Sequence, residues 1–349
     1  MKVGILGCGA MGTVMGAYMT KNGLDVELID SYKEHVDVLN KNGAHIIGSV
    51  DMIVPVKAVT PEEMKGIYDL IFLFTKQTVN DTVLKNLLPH LNEKSTVCTL
   101  QNGVPEHFVA GYVGEERTLG GTVLWGATFV KPGVSELTQD ITKNDHLFEI
   151  GAIDGTIGER VNNAAEILGY MGRAKITDTL MASRWGKLIN NACMSGMSAA
   201  CGATFGEILQ NEKSRACLSY LAREVKRCCE AEGYKMPILL NEQLPYSCDI
   251  KDQEMFDTNQ RMFLEMYKDM YTAKASMLQD LEKEKKTEVL MINGYVSSTG
   301  DKYNIDTPFN DTVVEIVTKI EKKLLPLSMD NLKYFNDKLF EYKYYQEKK

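Results

Sequence analysis

The sequence predicts an α/β fold in two parts: an N-terminal half of alternating strands and helices, then an all-helical C-terminal half. Three observations carry this. Short apolar runs punctuated by glycine alternate with helical patterns up to about residue 150. A glycine-rich turn joins the first apolar run to the first helical pattern. Beyond Arg173–Asp178 the patterns become long and helical, with few β-branched runs. A chain of 349 residues also exceeds the size at which one core stops growing, about 250–300 residues.

Lys2–Leu6 reads as a buried strand, and Gly7-Cys8-Gly9-Ala10-Met11-Gly12 follows it as G-x-G-x-x-G. A helical pattern (Val14, Met15, Ala17, Tyr18, Met19) runs to Asn22-Gly23, and a second apolar run, Val26–Ile29, ends in Asp30. A lone G-x-G-x-x-G is weak evidence. Here it follows a strand, opens a helix and has an acid at the end of the next strand, the arrangement of a dinucleotide site. Glycines let backbone approach the pyrophosphate, and the helix N-terminus favours its charge. A carboxylate at Asp30 suits the ribose 2′-hydroxyl of NAD and repels the 2′-phosphate of NADP. Lys33 is near enough in sequence to soften that repulsion. NAD is therefore favoured, with NADP left open.

Leu70–Thr75 is a third strand running into Lys76-Gln77, and Ser95–Leu100 a fourth running into Gln101-Asn102-Gly103. Ligands of open α/β sheets sit at the carboxyl ends of strands. Lys76 alone fits a solvated loop cation, and Asn102-Gly103 alone a turn dipeptide; at the same sheet edge as the glycine loop they point to a shared site. Gly120–Ala127 reads as a further strand and turn, and Phe148–Gly151 as the last strand.

The second half opens on Met181–Ala200, MASRWGKLINNACMSGMSAA. Met181, Trp185, Leu188, Ile189 and Ala192 recur at helical spacing. Lys187, Asn191 and Ser195 follow one another at i+4, so a cation, an amide and a hydroxyl line one side of a buried-looking helix. An unpaired buried ammonium is costly, so such a lysine has a partner or a task; snorkelling to solvent is the alternative. Ala216–Gly233 and Asn259–Leu281 read as helices, the latter with a stripe of methionines (262, 266, 270, 277) expected in the core. Residues 239–257 are poorly periodic, an insertion or lid. Lys283–Lys286 reads as an exposed turn, and Thr287-Glu288 as the opening of a helix over Val289–Val296, where Glu288 complements the helix dipole by default. The tail after Leu325 has a cap at Ser328 and an amphipathic pattern that suits its own domain or a second subunit of a homodimer.

The net charge of −8 leaves no basic footprint for nucleic acid or an anionic membrane surface. No apolar run is long enough to span a bilayer. Eight cysteines lack a metal-ligand pattern such as C-x-x-C, and without a signal-peptide pattern they read as reduced thiols of a cytoplasmic protein; no metal site is expected. All five histidines precede residue 147, so any acid or base in the second half must be another residue type.

Together these motifs resemble the ketopantoate reductase family. The likeness rests on the glycine motif 7–12, Thr75-Lys76-Gln77, Gln101-Asn102-Gly103, Trp185 through Lys187 to Asn191, Ser276–Leu281, Thr287-Glu288, Ile292-Asn293-Gly294 and Thr307-Pro308. The resemblance implies a Rossmann-type dinucleotide-binding domain over 1–175, a helical substrate and catalytic domain over 176–349, and a site in the cleft between them. It implies NAD(P)H as cofactor, bound by Gly7, Cys8, Gly9, Ala10, Met11, Gly12, Lys76, Asn102, Ala127 and Glu288, to which the strand-end reading adds Asp30. It implies Lys187 as proton donor with Glu288 beside it, and Asn102, Lys187, Asn191, Ser276 and Glu288 around a small 2-oxo acid, to which the helical stripe adds Ser195. The chemistry agrees: hydride addition to a 2-oxo carbon builds negative charge on the oxygen, which a cation stabilises and an ammonium protonates. Three residues depart from the family pattern: Ser195 where a second asparagine is common, Phe205 at a usually polar position, and Asp30. These make the reaction type firmer than the substrate. Two other readings stay open: an opine- or 3-hydroxyacid-type dehydrogenase, which would more naturally use a histidine in the second half, and a dinucleotide sensor without turnover.

Overall fold

Eight strands build the first sheet of this computed structural model, in the order β12 (Ala174–Ile176), β11 (Phe148–Ala152), β8 (Thr118–Val123), β7 (Thr96–Thr99), β6 (Leu70–Leu73), β1 (Val3–Leu6), β2 (Val26–Ile29) and β5 (Lys57–Val59); the structure describes residues 1–237, 248–341 and 344. The chain divides into two compact units, Met1–Leu180 and Met181–Lys349. The composition shift puts the division at 175/176. The later boundary has a local cause, since Thr177 N–H still bonds Ile150 O (2.9 Å) beyond the last strand.

In the first unit, β1 (Val3–Leu6), β2 (Val26–Ile29), β6 (Leu70–Leu73) and β7 (Thr96–Thr99) are buried on both faces, as the near-continuous apolar runs require. They pair in parallel, with β1 between β2 and β6, and β7 beyond β6. Helix α1 (Ala10–Lys21) follows β1 directly, and α2 (Lys33–Asn42) follows β2. The carboxyl ends of β1, β6 and β7, and therefore the glycine motif, Lys76 and Asn102, share one edge of the sheet. Strand β8 (Thr118–Val123) is parallel to β7, and β11 (Phe148–Ala152) runs antiparallel to β8.

Two features are absent from the sequence pattern. Phe148–Gly151 is not the last strand, because β12 (Ala174–Ile176) adds in parallel to β11; three residues are too few to show a period. A second sheet, β4-β3-β10-β9, is formed by β3 (Ala44–Gly48), β4 (Met52–Val54), β9 (Ala127–Lys131) and β10 (Val134–Leu137) and packs on α1. Its strands are short, come from distant parts of the chain, and acquire a common apolar face only on pairing.

The second unit contains helices and no strand among its described residues. The Met181–Ala200 pattern is one helical run interrupted by a π turn: α-helix Leu180–Asn190, π turn Asn191–Ser195, α-helix Gly196–Cys201. Asn259–Leu281 is not continuous. It divides into helices Gln253–Met266 and Ser276–Glu282, because the backbone between them is drawn off to bond Phe205 N–H (to Ala273 O, 3.0 Å) and Gly206 N–H (to Tyr271 O, 2.8 Å). The methionine stripe divides with it: Met277 is buried, Met262 and Met266 are half-buried and Met270 is exposed. Val289–Val296 likewise breaks at Ile292 into a 3-10 turn, Val289–Met291, and a helix, Asn293–Tyr303. Of the poorly periodic stretch 239–257, residues 239–247 lie outside the described residues, and Gln253 opens a helix.

The described part of the tail packs on its own unit. Ser328 Oγ accepts from Asp330 N–H (3.1 Å), Asn331 donates to Ala200 O (2.9 Å), and Phe335 stacks on Phe309. All eight cysteines are free and buried; burial holds Cys201, Cys228, Cys229 and Cys248 protonated, with pKa values about 12. No described helix is long and apolar enough to cross a membrane.

Candidate functional site

The cofactor side is built on strand ends. Gly7 has φ +94°, and a Cβ there would lie 2.5 Å from Thr75 N, so only glycine lets the loop cross the end of β6. Its N–H bonds Ile29 O (2.8 Å), seating the loop on β2 just before Asp30. A Cβ on Gly9 would meet no atom within 4 Å, leaving open space in front of the N-terminus of α1. A tightly seated turn with an unfilled approach to a helix N-terminus fits a pyrophosphate. Asp30 is half-buried and its Oδ1 accepts from Tyr32 N–H (2.9 Å). Lys33 is engaged with Asp37 at 3.0 Å, so its expected softening of Asp30 is not what its ion pair does.

Lys76 is exposed just before a 3-10 turn over Gln77–Val79. Asn102 precedes Gly103, whose φ is +77°. The two loops are tied together by amides. Gln101 Nε2 donates to Thr75 O (2.6 Å) and to Asn80 Oδ1 (2.6 Å), and Asn80 Nδ2 returns a bond to Gln101 Oε1 (3.2 Å). Gln77 Nε2 donates to Asn102 O (2.5 Å). Gln77 and Gln101 stand inside the sequence motifs, but their bracing work is not visible there; Asn80 carries no signal, being one polar residue at a helix start. Ala127 opens β9, in the second sheet. A separate cavity lined by Asp69, Lys94, Thr96 and Arg160 lies at the amino ends of the strands. There Arg160 already donates to the carbonyls of Glu93, Lys94 and Ser95.

In the second unit Lys187 is half-buried one turn before the π turn, on the helix face beside fully buried Trp185, Leu188 and Ile189. Burial, with the Arg184 guanidinium nearby, lowers its pKa to about 8. Asn191 begins the π turn and Ser195 ends it, both half-buried. In an unbroken α-helix each four-residue step drifts by about 40°. A π turn takes roughly 4.4 residues per revolution, so the step from Asn191 to Ser195 takes back that drift and keeps the three polar residues in one stripe. Asn191 Nδ2 is buried without a hydrogen-bond partner among the described residues, a state that calls for a ligand or ordered water.

The π turn is held from outside. Asn293 Nδ2 donates to Ala192 O (3.0 Å) and to Asn310 Oδ1 (2.9 Å). Asn310 donates through Nδ2 (2.7 Å) and N–H (2.9 Å) to Glu224 Oε2, and Phe309 N–H to Glu224 Oε1 (2.9 Å). Burial outweighs these bonds and raises Glu224 to about 8. Gly196 makes room, since a Cβ there would meet Asn293 Oδ1 at 2.8 Å. Asn293 lies within one of the family-like motifs; Glu224 and Asn310 are legible in the sequence only as polar residues in apolar helices.

Ser276 is exposed at the start of a helix that packs on the π turn and the segment after it. Glu288 is buried before its 3-10 turn, where its carbonyl accepts from Met291 and Ile292 N–H (2.9 and 3.0 Å). Next to it Thr287 N–H and Oγ1 both bond Glu321 Oε1 (2.7 Å each). Phe205, the apolar departure, is buried edge-on to Tyr267.

Two family models match the chain: ketopantoate reductase PanE/ApbA over residues 3–152 and its C-terminal partner over residues 179–321. The 2-dehydropantoate 2-reductase of Streptococcus pyogenes serotype M3 is 28% identical over 325 residues, covering 91% of this chain and 97% of the relative. That of Archaeoglobus fulgidus is 28% identical over 327 residues, covering 93% and 99%. A solved PanE/ApbA family ketopantoate reductase from Ralstonia eutropha JMP134 is 25% identical, with a TM-score of 0.77 over 93% of this chain and 99% of its own. D-mandelate dehydrogenase, solved with NADH and anilino(oxo)acetate, shares the fold at 24% identity, TM-score 0.77, with 93% and 99% covered. With both halves matched in order over most of its length, the chain belongs to the ketopantoate reductase family of nicotinamide-dependent oxidoreductases.

Proposed function

We propose that this chain reduces 2-dehydropantoate (ketopantoate) to pantoate, with Lys187 as proton donor and NADH as the preferred reductant. The observation that carries the reading is Lys187: a half-buried cation with its pKa lowered to about 8, in line with Asn191 and Ser195 on a helix held by a dedicated buried network. When bound, the reduced nicotinamide supplies the hydride. The ammonium of Lys187 stabilises the charge that develops on the 2-oxo oxygen and then gives it a proton, so that 2-oxo acid, NAD(P)H and one proton become 2-hydroxy acid and NAD(P)⁺. The neutral lysine regains its proton from solvent. Asn191, whose Nδ2 lacks a protein partner among the described residues, offers a donor to the substrate; Ser195, Ser276 and Glu288 offer hydroxyl and carboxylate contacts. On the cofactor side the roles go to residues 7–12, Asp30, Lys76, Asn102 and Ala127, and to Glu288. Asp30, at the end of β2 with Lys33 paired to Asp37, supports NADH over NADPH.

A panel of 2-oxo acids, branched and aromatic, assayed with each reduced cofactor tests this. Ketopantoate with NADH should give the highest kcat/KM. Oxidation of neither cofactor with any member of the panel would remove the enzymatic reading.

A further inference from the structure

Beyond the substrate and the cofactor, the glycine loop is held by a histidine that neither the motif nor the proposed chemistry uses. His35 lies on α2 and is 1% exposed. Its Nδ1 accepts from Gly133 N–H (2.9 Å), in the turn between β9 and β10. A ring nitrogen that accepts carries no proton, so the proton of the neutral ring sits on Nε2. Nε2 therefore donates to Cys8 O (2.8 Å), which also accepts from Thr13 Oγ1 (2.6 Å). The carbonyl at the first variable position of the glycine motif thus has two buried donors.

The peptide bond turns this anchor into an aim. In a planar trans peptide the C=O of one residue and the N–H of the next point in opposite directions. Pinning Cys8 O inward turns Gly9 N–H to the opposite side, and at Gly9 the loop is open, since a Cβ there would meet nothing within 4 Å. We propose that His35, with Thr13, is a positioning residue for cofactor binding: it sets the Cys8–Gly9 peptide so that Gly9 N–H faces the dinucleotide pyrophosphate. The proposal rests on the reading of residues 7–12 as the dinucleotide loop.

Two substitutions separate positioning from mere packing. A glutamine side chain in place of His35 puts its amide donor where Nε2 lies, and an asparagine side chain puts its amide acceptor where Nδ1 lies. His35→Gln keeps the Cys8 bond and gives up the Gly133 bond; His35→Asn does the reverse. Each loses one buried hydrogen bond, so the two should melt at similar temperatures. Titration with NADH, followed by nicotinamide fluorescence on the full chain, should find His35→Gln near wild type and His35→Asn weaker by about tenfold. Thr13→Val, which removes the second donor at nearly constant volume, should weaken NADH by about fivefold and serves where a His35 variant does not fold. Equal affinities in the two His35 variants, or an unchanged affinity in Thr13→Val, would overturn the role while wild-type binding still upheld the cofactor reading. A wild-type chain that binds neither NADH nor NADPH would remove both.

Discussion

The two halves of this protein solve different problems with different materials. In the first unit the working groups are backbone: N–H donors on a glycine loop, strand ends and two loops tied by Gln101 and Asn80, whose amides find partners in one another. In the second unit the candidate groups are side chains held where water is scarce: Lys187 lowered to about 8 and Asn191, whose buried Nδ2 has no partner among the described residues, on a helix braced by a network in which Glu224 is raised to about 8. Binding a common cofactor asks for a rigid template. Moving a proton asks for a group whose charge is expensive enough to give up. Irregular backbone follows the same division, as a tight glycine turn in the first unit and a π turn braced by Asn293 in the second.

The contrast breaks most sharply at Lys187. Lys187→Ala should lower kcat by about two orders of magnitude or more while NADH affinity stays near wild type. In the wild type the donor is protonated below its pKa, so kcat for reduction should fall as pH rises through about 8, and Lys187→Ala should lack that limb. An unchanged pH profile in the variant would move the proton to another group.

A smaller effect is expected where the network supports the helix without reaching substrate. Asn293→Ala leaves Ala192 O and Asn310 Oδ1 without their donor and should lower stability by about 1–3 kcal/mol. With the π turn unbraced, KM for the 2-oxo acid should rise while NADH affinity holds. Equal losses in both would mean that Asn293 supports the whole unit and not the stripe.

The last effect is read as a slope. The raised pKa of Glu224 means that below about 4.5 its carboxyl is protonated in both folded and unfolded chains, and its stabilising contribution is fully present. Between there and about 8 the folded state holds the proton that the unfolded state has lost, so that contribution declines as pH rises and is gone above about 8. Glu224→Gln should flatten this decline in urea midpoints measured from pH 5 to pH 8. A slope as steep as that of the wild type would assign the titration elsewhere.

Much of the first unit could be read from the chain because local pattern and final environment agree. Val26–Ile29 is apolar throughout and becomes a strand buried on both faces, and the glycine motif keeps φ +94° at Gly7. The second sheet could not be read, since His45 and Val134 become neighbours only when distant segments pair. The unbroken helix predicted over 259–281 failed because Phe205 and Gly206 claim carbonyls from its middle. The helical spacing of Lys187, Asn191 and Ser195 was legible, but the π turn that keeps them aligned was not. The side chain that bonds into it lies about a hundred residues away, at Asn293.

Residue order alone thus determined the family, the α/β-then-helical plan and the polar residues at the sheet edge and on the lysine helix, because turns, caps and apolar periods are local and written in adjacent letters. Tertiary structure alone decided which amides brace which loops, where the helix departs from 3.6 residues per turn, and which ionisable groups shift. Those depend on burial and on partners far along the chain, and the free energy of a buried polar group is set by what surrounds it.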